Sequence, residues 1–220
     1  MAVPAPPAPP ALELASTGMS SSAFAIASAL SERPQTTRLS VRPHTMNVLA
    51  GRAVLVAGRL LGGRASLGLP GRLITLQERA RRGWETIART RTSTNGRYRL
   101  RFLAERTGSE ALRLRFAGDS ADAPSHRRLG ELNVYRLAEA SWYGGEGGLA
   151  CGGALTSSTL GVANKTLPCG TLVTLRYGGR SVRVPVVDRG PYVAGREFDL
   201  TLATKEALGF GDTGEVWSTR

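Results

Sequence analysis

Long apolar runs are missing from this chain. No stretch of its 220 residues approaches the ~20 uninterrupted apolar positions that a membrane-crossing helix needs, so no transmembrane segment is expected. Cysteine is nearly absent as well. Cys151 and Cys169 are the only two, and one pair matches neither a zinc site nor a disulfide-dense scaffold. Spacing alone leaves them open to two readings, a pair of buried thiols or a single disulfide in an exported protein. Lysine is scarce too. Of 29 basic residues only Lys165 and Lys205 are lysine, and with 27 glycines this resembles GC-rich codon bias as much as selection for a polyanion.

What is present divides the chain in two. The net charge is +12, yet residues 138–220 hold eight basic and eight acidic residues and are formally neutral. The whole excess lies in residues 1–137, with 21 basic against nine acidic. Two electrostatically different regions suggest two domains. An apolar fraction of 41% with three Trp and five Phe is enough for real cores and excludes wholesale disorder. Residues 2–10, AVPAPPAPP, favour an extended conformation, and residues 1–36 are expected to be a flexible leader. The apolar stretch 23–30 has no basic residue before it, the first being Arg33, so it lacks the charged region of a secretory signal.

From Arg38 the period changes to two. Strand-like runs fall at 38–42, 53–61, 73–77, 84–92, 97–103, 112–116 and 131–135. Turn chemistry separates them at Gly62-Gly63, Pro70-Gly71, Arg82-Gly83 and Asn95-Gly96, the last being the strongest short-range hairpin signal. Seven short strands in about 100 residues predict an antiparallel β-sandwich of immunoglobulin type over residues 37–137. The runs LPGRLITLQERARRGWETIARTRTSTNGRYRLRF and LRLRFAGD resemble bacterial immunoglobulin-like or fibronectin-like modules, which implies a spacer or adhesive role. Tyr98, Leu100 and Phe102 alternate with Arg97, Arg99 and Arg101, and Leu112, Leu114 and Phe116 with Arg113 and Arg115. If these strands pair, the five arginines form one ladder. It is either a solvated face that discourages edge pairing or a surface for anionic polymers. Nucleic acid is not an expected partner, because the aromatics fall on the inward phase.

Residues 138–220 carry the motifs: ASWYG, LACGG, VANKTLPCGTLVTLRY, RSVRVPVVDRGPYVAGREFDLT and a terminal EVWSTR. The segment reads as short strands with one helix at 202–208, closed by Gly209. Of the five aspartates, Asp188 and Asp199 flank one loop, each at the junction of an apolar strand and a Gly/Pro turn, with Tyr192 between them. Paired carboxyls in such places suit general acid chemistry at a glycosidic oxygen. The alternative is structural: Asp188 caps the turn, and Asp199 pairs with Arg189 or Arg196.

The motif order is specific. Trp-Tyr-Gly, then Lys-Thr-Leu-Pro-x-Gly-Thr, Asp-Arg-Gly-Pro-Tyr and Phe-Asp-Leu resembles the double-psi β-barrel of the rare lipoprotein A family of septal lytic transglycosylases. It is more distantly similar to the expansin barrel and to membrane-bound lytic transglycosylase A. This resemblance implies peptidoglycan glycan strands as ligand and an all-β chain, a sandwich followed by a double-psi barrel. It implies Asp199, in the acidic position of Glu197-Phe198-Asp199, as catalytic acid, with Asp188 in support. It implies cleavage between N-acetylmuramic acid and N-acetylglucosamine with a 1,6-anhydro product, and no metal or cofactor. Trp142, Tyr143, Asn164, Arg189 and Tyr192 are the expected substrate-binding residues. It also implies that Cys151 and Cys169 close a disulfide, and hence an exported protein of the cell envelope or beyond.

Two departures bear on turnover. Many members carry Glu where this chain has Gly153, and His where it has Asn164. Asn164 can donate a hydrogen bond to a sugar but cannot exchange a proton. The other functions in view are a non-catalytic, expansin-like wall-binding module and a surface adhesin. A monomer is expected.

Overall fold

The computed structural model describes residues 33–220, so positions 1–32 of the expected leader lie outside the described residues. Every run with period two forms a strand. In chain order these are β1 (Thr37–Val41), β2 (Asn47–Leu49), β3 (Arg52–Gly62), β4 (Leu67–Gly68), β5 (Leu73–Ala80) and β6 (Gly83–Arg91). They are followed by β7 (Arg97–Ala104), β8 (Gly108–Phe116) and the long β9 (Ser125–Tyr143). One sheet runs β1–β3–β7, with β4 against the end of β3. The facing sheet runs β6–β5–β8–β9, with β2 parallel to β9. Alternation sends Val54, Val56 and Leu60 of β3 and Tyr98 and Leu100 of β7 inward. They meet Ile74, Leu76, Leu112, Leu114 and Phe116 in a single core.

Two expectations fail here for one reason. The Asn95-Gly96 turn does not close a hairpin, because β6 belongs to one sheet and β7 to the other. The turn carries the chain across the core. Gly96 has φ +73, and a Cβ there would meet the Leu60 carbonyl oxygen at 2.5 Å, so the turn is seated directly on β3. Its carbonyl accepts the Leu60 N–H at 2.9 Å, which starts the β3–β7 ladder. The single arginine ladder fails with it. Arg97, Arg99 and Arg101 lie on one sheet and Arg113 and Arg115 on the other, because β7 pairs with β3 while β8 pairs with β5 and β9.

The rest of the chain forms β10 (Gly147–Gly148), β11 (Ala154–Leu155), β12 (Val162–Ala163), β13 (Leu172–Tyr177) and β14 (Arg180–Asp188). After these come β15 (Phe198–Thr201), helix α1 (Leu202–Leu208) and β16 (Thr213–Ser218). Gly209, left-handed at φ 64, ends the helix as the sequence predicts. The order β9–β15–β12–β14–β13–β16 returns to β9, so six strands close a barrel with no free edge. Its core holds Ala138, Ala140, Val162, Val184, Val186, Phe198 and Leu200.

Strand β9 serves both cores. Its 19 residues span about 60 Å, contributing Leu132 and Val134 to the sandwich and Ala138 and Ala140 to the barrel. The boundary expected between residues 137 and 138 therefore falls inside a continuous strand. Tyr135, fully buried at that point, packs its ring 5.7 Å from Trp217 of the barrel and donates its hydroxyl to Asn47 Oδ1 of the sandwich at 2.8 Å. Arg183 and Glu131, 3.1 Å apart, bridge the same junction. With Tyr135 at the junction, the two halves are expected to unfold in one transition. Tyr135→Ala should cost about 3–5 kcal/mol in urea melts followed by circular dichroism and tryptophan fluorescence. Two separate transitions in the parent protein would contradict the shared-strand account.

Candidate functional site

Strand pairing sets the site. Ser141 of β9 pairs with Asp199 of β15, Asp199 with Ala163 of β12, and Ala163 with Asp188 of β14. The two aspartates thus flank Ala163 in one row across the barrel wall, two strand spacings or about 10 Å apart at Cα. Period two decides what Asp199 faces. Phe198 and Leu200 on either side are fully buried, so Asp199 points away from the barrel core, on the face that Ser141 and Tyr143 share.

Each carboxylate has a distinct anchor. Asp188 Oδ1 accepts the backbone N–H of Ala150 at 2.9 Å and of Arg189 at 2.8 Å. Capping of the turn is thus observed. Asp199 accepts from the Ser141 hydroxyl and does not pair with Arg189 or Arg196. Among the described residues neither aspartate forms an ion pair. The Tyr143 hydroxyl is buried near both. It makes no hydrogen bond of good geometry, and burial, the charge of Asp188 and then that of Asp199 keep its proton on well beyond the ordinary phenol range. A buried phenol thus lies beside the two carboxylates.

The other expected residues divide into supports and exposed groups. Asn164 is buried and spends its amide on the backbone. Nδ2 donates to the Glu197 carbonyl at 3.0 Å, and Oδ1 accepts from Thr166 and Leu167 N–H at 3.0 and 2.8 Å. Arg189 clamps the same loop, donating to the carbonyls of Asn164 and Leu167 at 3.1 and 2.9 Å and to Cys169 Sγ at 3.2 Å. Trp142 packs on the barrel core with Lys205 Nζ 3.8 Å from its ring centroid, and its indole donates to Asp212 at 2.9 Å. One face of that ring is therefore already occupied. Tyr192 is 83% exposed on the loop between the two aspartates, beside Gly190. Gly153, at φ +85, has open space where a side chain would begin. Ser141 escaped sequence reasoning; its signal was the shared phase with Tyr143, two residues on.

Cys151 and Cys169 form a disulfide, with Cα atoms 5.5 Å apart and 18 residues of separation. It ties the segment carrying Ala150, whose N–H holds Asp188, to the loop clamped by Arg189.

Residues 137–217 match the family model described as lytic transglycolase. Among curated proteins, a probable endolytic peptidoglycan transglycosylase RlpA of Aquifex aeolicus is 44% identical over 99 residues, 40% of this chain and 44% of that protein. The endolytic peptidoglycan transglycosylase RlpA of Pseudomonas aeruginosa is 37% identical over 92 residues, 39% of this chain and 27% of that protein. Among solved structures, the Streptomyces papain inhibitor is 26% identical with a TM-score of 0.32, covering 38% of this chain and 91% of that one. The chain spans less than half the length of the curated relatives it matches. With the closed six-strand geometry, these matches make residues 137–217 an RlpA-like double-psi β-barrel.

The double variant Cys151→Ser/Cys169→Ser should lose about 3 kcal/mol of stability in urea unfolding, the loop-closure value for this separation. Reductant should destabilise the parent by the same amount and leave the variant unchanged. Equal stability of the oxidised parent and the variant would exclude a structural role for the bridge.

Proposed function

We propose that the barrel cleaves the glycan strands of peptidoglycan as a lytic transglycosylase, with Asp199 as general acid. The observation that carries this is the row Ser141–Asp199–Ala163–Asp188, in which two carboxylates free of ion pairs flank one strand beside the buried Tyr143 hydroxyl. In this reading the bond between C1 of N-acetylmuramic acid and the bridging oxygen breaks as Asp199 gives that oxygen its proton. The sugar's own C6 hydroxyl forms the new bond to C1, and its proton passes to the carboxylate, which restores Asp199. The product carries a 1,6-anhydro end, and no water enters the chemistry. Ser141 orients the Asp199 carboxyl through its hydroxyl, and Asp188 and Tyr143 order the neighbouring ground. Tyr192, exposed on the loop between the aspartates, is placed to stack on a sugar.

The names of the relatives support peptidoglycan as substrate, and a disulfide fits export to the cell envelope. Among the described residues no helix is long and apolar enough to cross a membrane. We take residues 37–137 as an immunoglobulin-like module that carries the barrel. The strand order β1–β3–β7 facing β6–β5–β8–β9, with β2 parallel to β9, supports that assignment.

A second reading, a wall-binding module without turnover, is favoured by one particular observation. The two positions where the family resemblance leads to an expected Glu and His hold Gly153, with no side chain, and Asn164, whose amide is spent on the backbone. Digestion of purified sacculi separates the two. The parent should release 1,6-anhydro muropeptides detectable by mass spectrometry. Asp199→Asn should lower release at least 100-fold while retaining pull-down on sacculi. Pull-down without any soluble product from the parent would establish the binding reading instead.

A further inference from the structure

The sandwich carries a groove that the barrel chemistry does not use. It has a volume of about 610 Å³, with Leu55 and Ala57 of β3 on its floor and Arg42, Arg91, Arg97 and Arg99 around it. No carboxylate lines it. The neighbouring cavities differ: one sets Glu78, Glu105 and Glu110 against its two arginines, and the other includes Asp119. Among the described residues, none of the four groove arginines forms an ion pair, and all four side chains are exposed. The fold could have scattered these charges. Instead it gathers four arginines around one partly apolar groove, of which Arg91 donates to the Gly71 carbonyl at 2.8 Å.

We propose that this groove binds a flexible phosphodiester polymer without bases, a polyol-phosphate chain. Guanidinium groups match phosphate oxygens with two parallel hydrogen bonds, which favours phosphate over a point-like anion. Arg97, Arg99 and Arg101 stand at alternate positions of β7, so successive guanidinium stems start about 7 Å apart on one face. Six covalent bonds separate successive phosphorus atoms joined through a three-carbon diol, which also reach about 7 Å when extended. Arg97 and Arg99 line the groove, while the next in the row, Arg101, lines the neighbouring cavity with the three glutamates, so the groove itself offers a chain two successive cations of the row. Nucleic acid fits less well. The one aromatic residue lining the groove, Tyr98, is 3% exposed with its hydroxyl donated to the Ser40 carbonyl, so bases have no ring to stack on. This inference does not depend on the glycan chemistry proposed for the barrel.

The test titrates the full chain with poly(glycerol phosphate), with neutral dextran, oligothymidylate and phosphatidylglycerol vesicles as comparators, at several salt concentrations. Binding should be tightest for poly(glycerol phosphate) and should weaken as salt rises. Arg97→Gln/Arg99→Gln should weaken it at least about tenfold, as expected for the loss of two charge-assisted contacts. Arg79→Gln/Arg115→Gln removes the same charge from two exposed positions on the other sheet and should weaken it less than about threefold. Both pairs should keep the parent's melting temperature and its action on sacculi. Equal losses in the two pairs, no binding to poly(glycerol phosphate), or tighter binding to oligothymidylate or vesicles would each overturn the proposal.

Discussion

Strand β9 is the constraint on which the rest of the molecule depends. It closes the sandwich against β8, keeps one inward phase past the buried Tyr135, and then closes the barrel between β16 and β15. A strand paired along nearly its whole length and shared by both cores cannot slip by one residue without turning each core face outward. That rigidity reaches the site directly. Ser141 and Tyr143 are the last residues of β9 on the outward phase, and they meet Asp199 and the Asp188 neighbourhood there. The sandwich and the site are thus two ends of one ladder rather than two bodies on a linker.

The site uses backbone and side chain for different ends. Asp188 is held by two N–H groups, so its position follows from the Ala150 and Arg189 backbone. That backbone is fixed in turn by the disulfide and the Arg189 clamp. Asp199 is held by one hydroxyl and no cation. The two aspartates therefore differ in what holds them, backbone N–H groups for Asp188 and a single side chain for Asp199.

Much of this was legible in the sequence, and the remainder was not for definable reasons. Alternation located seven strands, because half-buried sheets impose period two on each strand separately. The helix at 202–208 and its glycine stop were equally local signals. Pairing partners are not local. Asn95-Gly96 has the composition of a hairpin turn, and only the contact with Leu60 on a distant strand turns it into a crossover. The division of the arginines between two sheets has the same origin. The aspartates were visible as rare residues at strand ends. The orienting Ser141 and the structural use of Asn164 and Arg189 were not, since a polar side chain does not announce whether its partner is a ligand or a carbonyl.

The uneven charge has a structural counterpart. A formally neutral barrel sits at one end of β9, and the positive excess lies on the sandwich at the other. Part of that excess is spent internally, in Arg72 on Asp119 and Asp122 and in Arg106 on Glu78. Another part stacks: Arg113 lies 4.2 Å from the Trp84 ring centroid and is less basic than usual from burial and from Arg115, Arg79 and Arg128 nearby. Codon bias is one reading of why these cations are arginine rather than lysine. It does not explain why four of them ring a groove with no carboxylate among its lining residues, when acidic side chains are available elsewhere on the same sandwich. An anionic ligand seated in the groove would complement that charge.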